Sequence, residues 1–171
     1  MGLLSRLAYR VRQFWNALPG PSRQVETGAL LPHLNPSQIV LFRRMQPSEQ
    51  LHARQVLERL KAAGQTNPDL LAAALLHDVG KILLPLSLSD RMVIVLGKRF
   101  FRQRVKRWSA GRPDQFSRPF VVAANHPDWG ADLAAQAGAS LRTVELIRRH
   151  QDPPPVNDAL LATLQAADDE V

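Results

Sequence analysis

The chain has 171 residues, of which 45% are apolar, contains no cysteine and carries a formal net charge of +7. That length suits one domain with a real core. The missing cysteines exclude disulfides, thiolate ligands and a thiol nucleophile, so any metal must be held by nitrogen and oxygen. The apolar candidate Met92 to Leu96 is far short of the ~18–20 residues that cross a bilayer. Arg6, Arg10 and Arg12 interrupt the first 20 residues, which therefore do not read as a signal peptide, and a cytoplasmic location is the expectation.

In chain order the pattern predicts helices throughout. Leu3, Leu4, Leu7, Val11, Phe14, Trp15 and Leu18 share one face of a helix over 3–18, stopped by Pro19-Gly20-Pro21. Asn35-Pro36 reads as an N-cap with proline at the first helical position, opening a helix to about Met45. Ser48 is expected to cap the next helix, which carries His52 and ends at Gly64. Asn67-Pro68 repeats the cap, and the apolar run from Leu70 to Leu76 predicts a helix buried on most sides. It runs into His77-Asp78-Val79-Gly80-Lys81, where Gly80 is expected to let the chain turn. Ser89 starts a helix with an apolar front and an arginine-rich back that fades by Gly111. A turn or helix over 120–125 leads to a break at His126-Pro127. A helix to Ala137 stops at Gly138, and a Ser140-capped helix ends at His150. After Pro153-Pro154-Pro155, Asn157 is expected to cap the last helix, which carries Asp168 and frays from Asp169. No strand pattern or internal repeat appears.

The charge is uneven. Between Arg91 and Arg118 there are nine basic residues against Asp114 alone, a local +8, so the remaining residues sum to −1. Such a segment suits a surface facing nucleic acid or lipid, without base-specific recognition, since few aromatics interleave with the cations. It reads equally well as a solvated helix face.

The chemistry-bearing residues are His52 in mid-helix and, at or near helix ends, His77, Asp78, His126, His150 and the pair Asp168–Asp169. Neutral imidazoles and carboxylates are what a divalent or iron-type cation binds. A lone histidine is more often a core or surface residue, and His33, in a Pro-Asn loop, is read so. The His77-Asp78 doublet differs, because an apolar helix running into it would bury an ionisable pair that needs compensation.

His52, then His77-Asp78, then Asp168 resemble, in order and spacing, the H…HD…D signature of the HD-domain metal-dependent phosphohydrolase superfamily. His77-Asp78-Val79-Gly80-Lys81 is similar to that family's extended HD-x-G-K form. His126-Pro127-Asp128-Trp129-Gly130 looks like the H-P-E-x-G element of its two-metal subset, and His150 matches a further histidine of that subset. The resemblance covers roughly residues 48–169. It implies an all-α helical bundle at 48–171, with an N-terminal helical extension at 1–47 and a basic insert at about 86–120. It also implies two ions (Fe, Mn, Mg, Co or Zn). One would be held by His52, His77, Asp78 and Asp168, and the other by Asp78 as a bridge with His126 and His150. Asp168 is preferred to Asp169 because it directly follows the apolar turn 164–167. Lys81 would meet substrate phosphate beside the catalytic Asp78, and Arg148 or Arg149 would bind substrate.

Departures from the family narrow this reading. His150 is followed by Gln151-Asp152-Pro153, without the Gly-Tyr-Pro of HD-GYP phosphodiesterases, so cyclic di-GMP hydrolysis is not expected. The extension and the insert match no characterised relative. The leading expectation is a phosphohydrolase acting on a phosphate ester or anhydride, a nucleotide or dinucleotide foremost. The alternatives are a di-iron oxygenase of the same superfamily and a nucleotide-sensing or membrane-peripheral binding module with a slow metal site.

Overall fold

The computed structural model describes Gly28 and residues 32–171, so the expected helix over 3–18 lies outside the described residues. Within them the chain is helical and has no strand. Its helices are α1 (Pro36–Arg44), α2 (Pro47–Ala62), α3 (Pro68–Leu76), α4 (Leu88–Phe100), α5 (Arg102–Ser109), α6 (Arg118–Gln136), α7 (Leu141–Arg149) and α8 (Ala159–Asp169). A 3₁₀ turn spans Val79–Ile82 between α3 and α4. No helix among the described residues is long and apolar enough to cross a membrane.

Several helix ends form as their sequences require. Asn35 caps α1 and Asn67 caps α3, each accepting from a backbone N–H of the first turn. Gly64 (φ +76°) and Gly138 (φ +74°) take the left-handed conformation that closes α2 and α6. There the N–H groups of Gln65 and Ala139 reach back to the Leu60 and Ala134 carbonyls.

Five boundaries differ from expectation. α2 begins at Pro47 behind Gln46, without a side-chain cap, and the Ser48 hydroxyl instead accepts from Arg91. α4 is capped by Ser87 rather than Ser89, in a reciprocal box with Asp90. The arginine-rich back half of that segment is a separate helix, α5, because Phe101 is non-helical at φ −130° and ψ 40°. His126-Pro127 breaks nothing: α6 runs through it. Proline removes one i→i−4 bond, but Phe120, Val121 and Val122 before it and Ala131 and Ala134 after it are buried, so packing carries the helix across. Asp158 rather than Asn157 caps α8, accepting from Leu161 N at 3.1 Å.

α3 is the axis of the bundle. Every residue from Leu70 to Leu76 is buried, and α2, α7, α8 and α1 pack around it. The three alanines at 72–74 let neighbouring backbones close in, while fully burying a leucine is worth ~1.5–3 kcal/mol. Leu34, Ile39, Leu41, Phe42 and Met45 belong to the same core, which therefore reaches upstream of residue 48. α4 and α5 form an arm lying on α6, with Gly97 against the Phe120 ring and Trp108 stacked on Phe120 at 4.9 Å.

Gly80 does not serve the purpose the sequence suggested. Its φ is not positive; what it provides is space. A Cβ there would stand 2.1 Å from the His126 carbonyl oxygen and 2.7 Å from Gly130 N, while a Cβ on Gly130 would approach Gly80 N to 3.0 Å. The 3₁₀ turn therefore crosses α6 glycine against glycine, which sets His77-Asp78 beside His126. Gly80→Ala should push this crossing apart and cost ~2–4 kcal/mol, within the range of overpacked cores and above. Thermal melting checks the stability loss, and weakened metal uptake by the folded fraction checks the displacement of His126.

Candidate metal centre

α3 ends at His77, the C-cap residue, and Asp78 is the first residue outside the helix. Both are buried, as are His126 in mid-α6 and His150 just past α7. His52 projects from α2 and Asp168 from α8, each about one-quarter exposed. The six side chains form two adjoining triads: His52, His77 and Asp168, and Asp78, His126 and His150. In each triad the potential ligand atoms lie within 4.8 Å of one another.

Asp78 sits between the triads. Its Oδ1 lies 3.2 Å from His126 Nε2 and 4.0 Å from His150 Nε2, while its Oδ2 lies 3.7 Å from His77 Nε2. On the other side Asp168 Oδ1 is 2.8 Å from His52 Nε2 and 3.5 Å from His77 Nε2. The two Nε2 atoms of His52 and His77 are 3.3 Å apart. Asp169, the competing candidate, is in neither triad.

Three of the four histidines are held in one tautomer by the backbone. His77 Nδ1–H donates to Ala74 O at 3.0 Å, His126 Nδ1–H to Val122 O at 3.0 Å, and His150 Nδ1–H to Ile147 O at 2.7 Å. Each bond leaves Nε2 facing the cluster, the arrangement that orients metal-binding imidazoles. His150 Nε2 is buried with no hydrogen-bond partner among the described residues. An orphaned acceptor costs free energy unless something fills its place, and a cation seated between Asp78, His126 and His150 would fill it. The donor set, nitrogen and carboxylate oxygen only, fits a divalent or iron-type ion.

The electrostatics fit too. Burial alone would push His77 down, but the Asp78 and Asp168 carboxylates overcome it and raise its pKa to about 9. Burial, with His77 and His126 nearby, lowers His150 to about 3. Asp78 and Asp168 are buried enough to be raised, yet their cationic and imidazole neighbours hold both well below the usual carboxylate range. In the metal-free chain, the His77 contribution to stability is complete below pH 6.5 and is lost as pH rises through about 9. The His150 contribution is complete above pH 6.5 and is lost as pH falls toward about 3. Chelator-treated protein should therefore melt highest near pH 6.5 and decline on both sides. Metal loading should release a proton from His77 and remove the alkaline decline.

Lys81 is neither free nor solvent-facing. Its Nζ lies 2.6 Å from Asp78 Oδ2 and 3.5 Å from Glu49 Oε2. Burial would lower its pKa, but the two carboxylates raise it, so it remains charged. Glu49, which sequence reasoning missed, is buried one turn before His52 on α2 and also receives Arg91 Nη2 at 2.5 Å. Its spacing of three from His52 puts it on the same helix face, but that spacing does not name Lys81 as its partner. Arg91 consequently leaves the anion-facing surface and becomes part of the site's support. Gln151 was also missed; its amide approaches His126 Nε2 to 3.5 Å, and nothing marked it beyond adjacency to His150.

Arg148 and Arg149 do not reach either triad. Arg148 pairs with Asp128 and Asp132 at 2.8 Å each, and Arg149 pairs with Glu145, Asp152 and Asp158. Both line a cavity of about 520 Å³ between the arm and the ends of α6 and α7, with an apolar wall of Val105, Phe120 and Pro127. Gln151 stands between this cavity and His126.

A family model described as the HD domain matches residues 50–170, a span that contains both triads. The chain belongs to the HD-domain family. No curated protein and no solved structure matches its sequence. HD domains are in general metal-dependent hydrolases built on an all-α fold, and the helical bundle and its two triads agree with that description. The insert lies inside the span of the HD domain, while α1 and the start of α2 lie before it.

Proposed function

We propose that this HD-domain protein is a two-metal phosphohydrolase acting on a phosphate ester or anhydride, with a nucleotide-sized substrate. The observation that carries the proposal is the position of Asp78, its two oxygens divided between two triads of potential ligands. His52, His77, Asp78 and Asp168 would hold one ion; Asp78, His126 and His150 would hold the other. When bound, such a pair supplies a water of lowered pKa and positive charge for the oxygens of a phosphoryl group.

The chain's own residues supply the rest. The backbone carbonyls behind His77, His126 and His150 fix the imidazoles before any ligand arrives, so ordering them adds little cost at binding. Lys81 offers a fixed ammonium beside Asp78 for the charge that builds on phosphorus-bound oxygens. Glu49 holds that ammonium from behind. The neighbouring cavity has room for a nucleoside, with Phe120 and Pro127 as an apolar wall. Phosphate reaching Arg148 or Arg149 would have to displace carboxylates already paired with them. The proposal therefore assigns phosphate to Lys81 and gives the two arginines the cavity wall.

The test is a screen of phosphomonoesters, nucleotides and dinucleotides under anaerobic conditions, after loading with Mn, Fe, Mg, Co or Zn. Phosphate release without oxygen, abolished by chelation and restored by metal, is the expected result. Turnover that strictly requires dioxygen would instead establish oxygenase chemistry on the same ligands.

A further inference from the structure

The arm formed by α4 and α5 presents a surface that neither the triads nor the core explains. α4 packs on α6 through a single buried residue, Gly97. Its opposite side carries Met92, Val93, Val95, Leu96 and Phe100, which are 40–65% exposed. At 100° per residue these five occupy an arc of about 160°, which also takes in Leu88, Ser89 and Arg99. Contiguous exposed apolar surface of this kind marks a contact site.

α5 continues the surface in charge. Val105 and Trp108 face the body of the protein, while Arg102, Arg104, Lys106 and Arg107 are exposed. Phe101, 48% exposed, joins the two helices. From residue 91 to 109 there are seven basic residues and no acid. Of the nine cations between 91 and 118, Arg91, Arg112 and Arg118 are paired with Glu49, Asp114 and Asp90. Among the described residues, no carboxylate forms an ion pair with Arg99 or with the cations on α5. Arg99 and Arg104 lie over the rings of Phe100 and Phe101.

The geometry points to an anionic lipid bilayer as the occupant of this surface: α4 lies in the interface with its apolar arc against the acyl chains, and the α5 cations meet the headgroup phosphates. An amphipathic helix flanked by arginine and lysine binds bilayers in this way, through apolar area and attraction to anionic lipid together. A nucleic-acid backbone would use the cations but leave five exposed aliphatic and aromatic side chains without a partner. A second copy of the chain would bring two strongly positive arms together, at a cost in like-charge repulsion. The inference does not depend on the hydrolase reading.

The experiment is co-sedimentation of the full chain with vesicles, either pure phosphatidylcholine or equal parts phosphatidylcholine and phosphatidylglycerol. Binding to the mixed vesicles alone is expected. Leu96→Ser/Phe100→Ser and Arg102→Gln/Arg104→Gln/Lys106→Gln/Arg107→Gln should each weaken it by ~10-fold or more. All six side chains are exposed, so helicity and melting temperature should stay at wild-type values. Absence of wild-type binding would overturn the inference. So would binding unaffected by Leu96→Ser/Phe100→Ser but lost with Phe14→Ser/Trp15→Ser, which would place the anchor in the N-terminal segment. Two further outcomes would also overturn it: duplex DNA binding that needs the α5 cations but not the α4 side chains, and a dimer dissolved by Leu96→Ser/Phe100→Ser.

Discussion

Asp78→Ala should remove most of the bound metal and reduce turnover to background, a larger loss than any other single substitution in this chain should cause. Asp78 belongs to one triad and its Oδ2 also lies 3.7 Å from His77 of the other, whereas Asp168 faces a single triad and is a quarter exposed. Its removal also leaves the Lys81 ammonium and a protonated His77 in a buried space with only Glu49, beside Lys81, and Asp168, beside His77, to balance them. Breaking a buried charge cluster by deleting one partner costs ~3–5 kcal/mol, so the variant should also melt well below wild type. Asp78→Asn separates the two effects, because it keeps the volume and removes the charge. It should fold better than Asp78→Ala and still retain little metal. Stoichiometric metal together with most of the activity in either variant would show that Asp78 is not the bridge.

Lys81→Ala should lower kcat by ~10²-fold, the scale of losing one preorganised charge from a transition state, while metal content stays near wild type. The lysine coordinates nothing in this proposal. It stands on Asp78 with Glu49 behind it, so its loss removes charge stabilisation at phosphorus and leaves the six ligands in place. Lys81→Arg should recover part of the turnover, since a cation is restored but its fork cannot reproduce the contact of Nζ with Asp78. Steady-state kinetics and metal analysis together check this. A raised KM with unchanged kcat would mean that Lys81 binds ground state and transition state equally. Lost metal would mean that its main role is to hold Asp78 in position.

The legible part of the sequence was its strongest local chemistry. Asn-Pro caps, left-handed glycines and an unbroken apolar run acted on neighbouring residues only, and the helices beginning at Pro36, Pro68 and Leu141 follow from them. Where tertiary packing outweighs a local rule, the local reading fails. Pro127 reads as a break, yet α6 passes through it because buried side chains lie on either side. Gly80 reads as a turn, yet its value is the missing Cβ, which depends on α6, a helix some forty residues downstream. Of the site, the six residues of the two triads could be named from their order in the sequence. Glu49 and Gln151 could not, because nothing in their own sequence neighbourhoods says that one will hold Lys81 and the other approach His126. The basic insert was visible as composition, but only the fold separates Arg91, which supports the site through Glu49, from the cations of α5, which face outward.

Crystals grown with manganese and measured near its absorption edge test the central claim most directly. The account predicts two anomalous peaks per chain, ~3.5–4 Å apart, one among His52, His77 and Asp168 and one between His126 and His150, with Asp78 touching both. A single peak, or two that leave Asp78 out of contact with either ion, would contradict it.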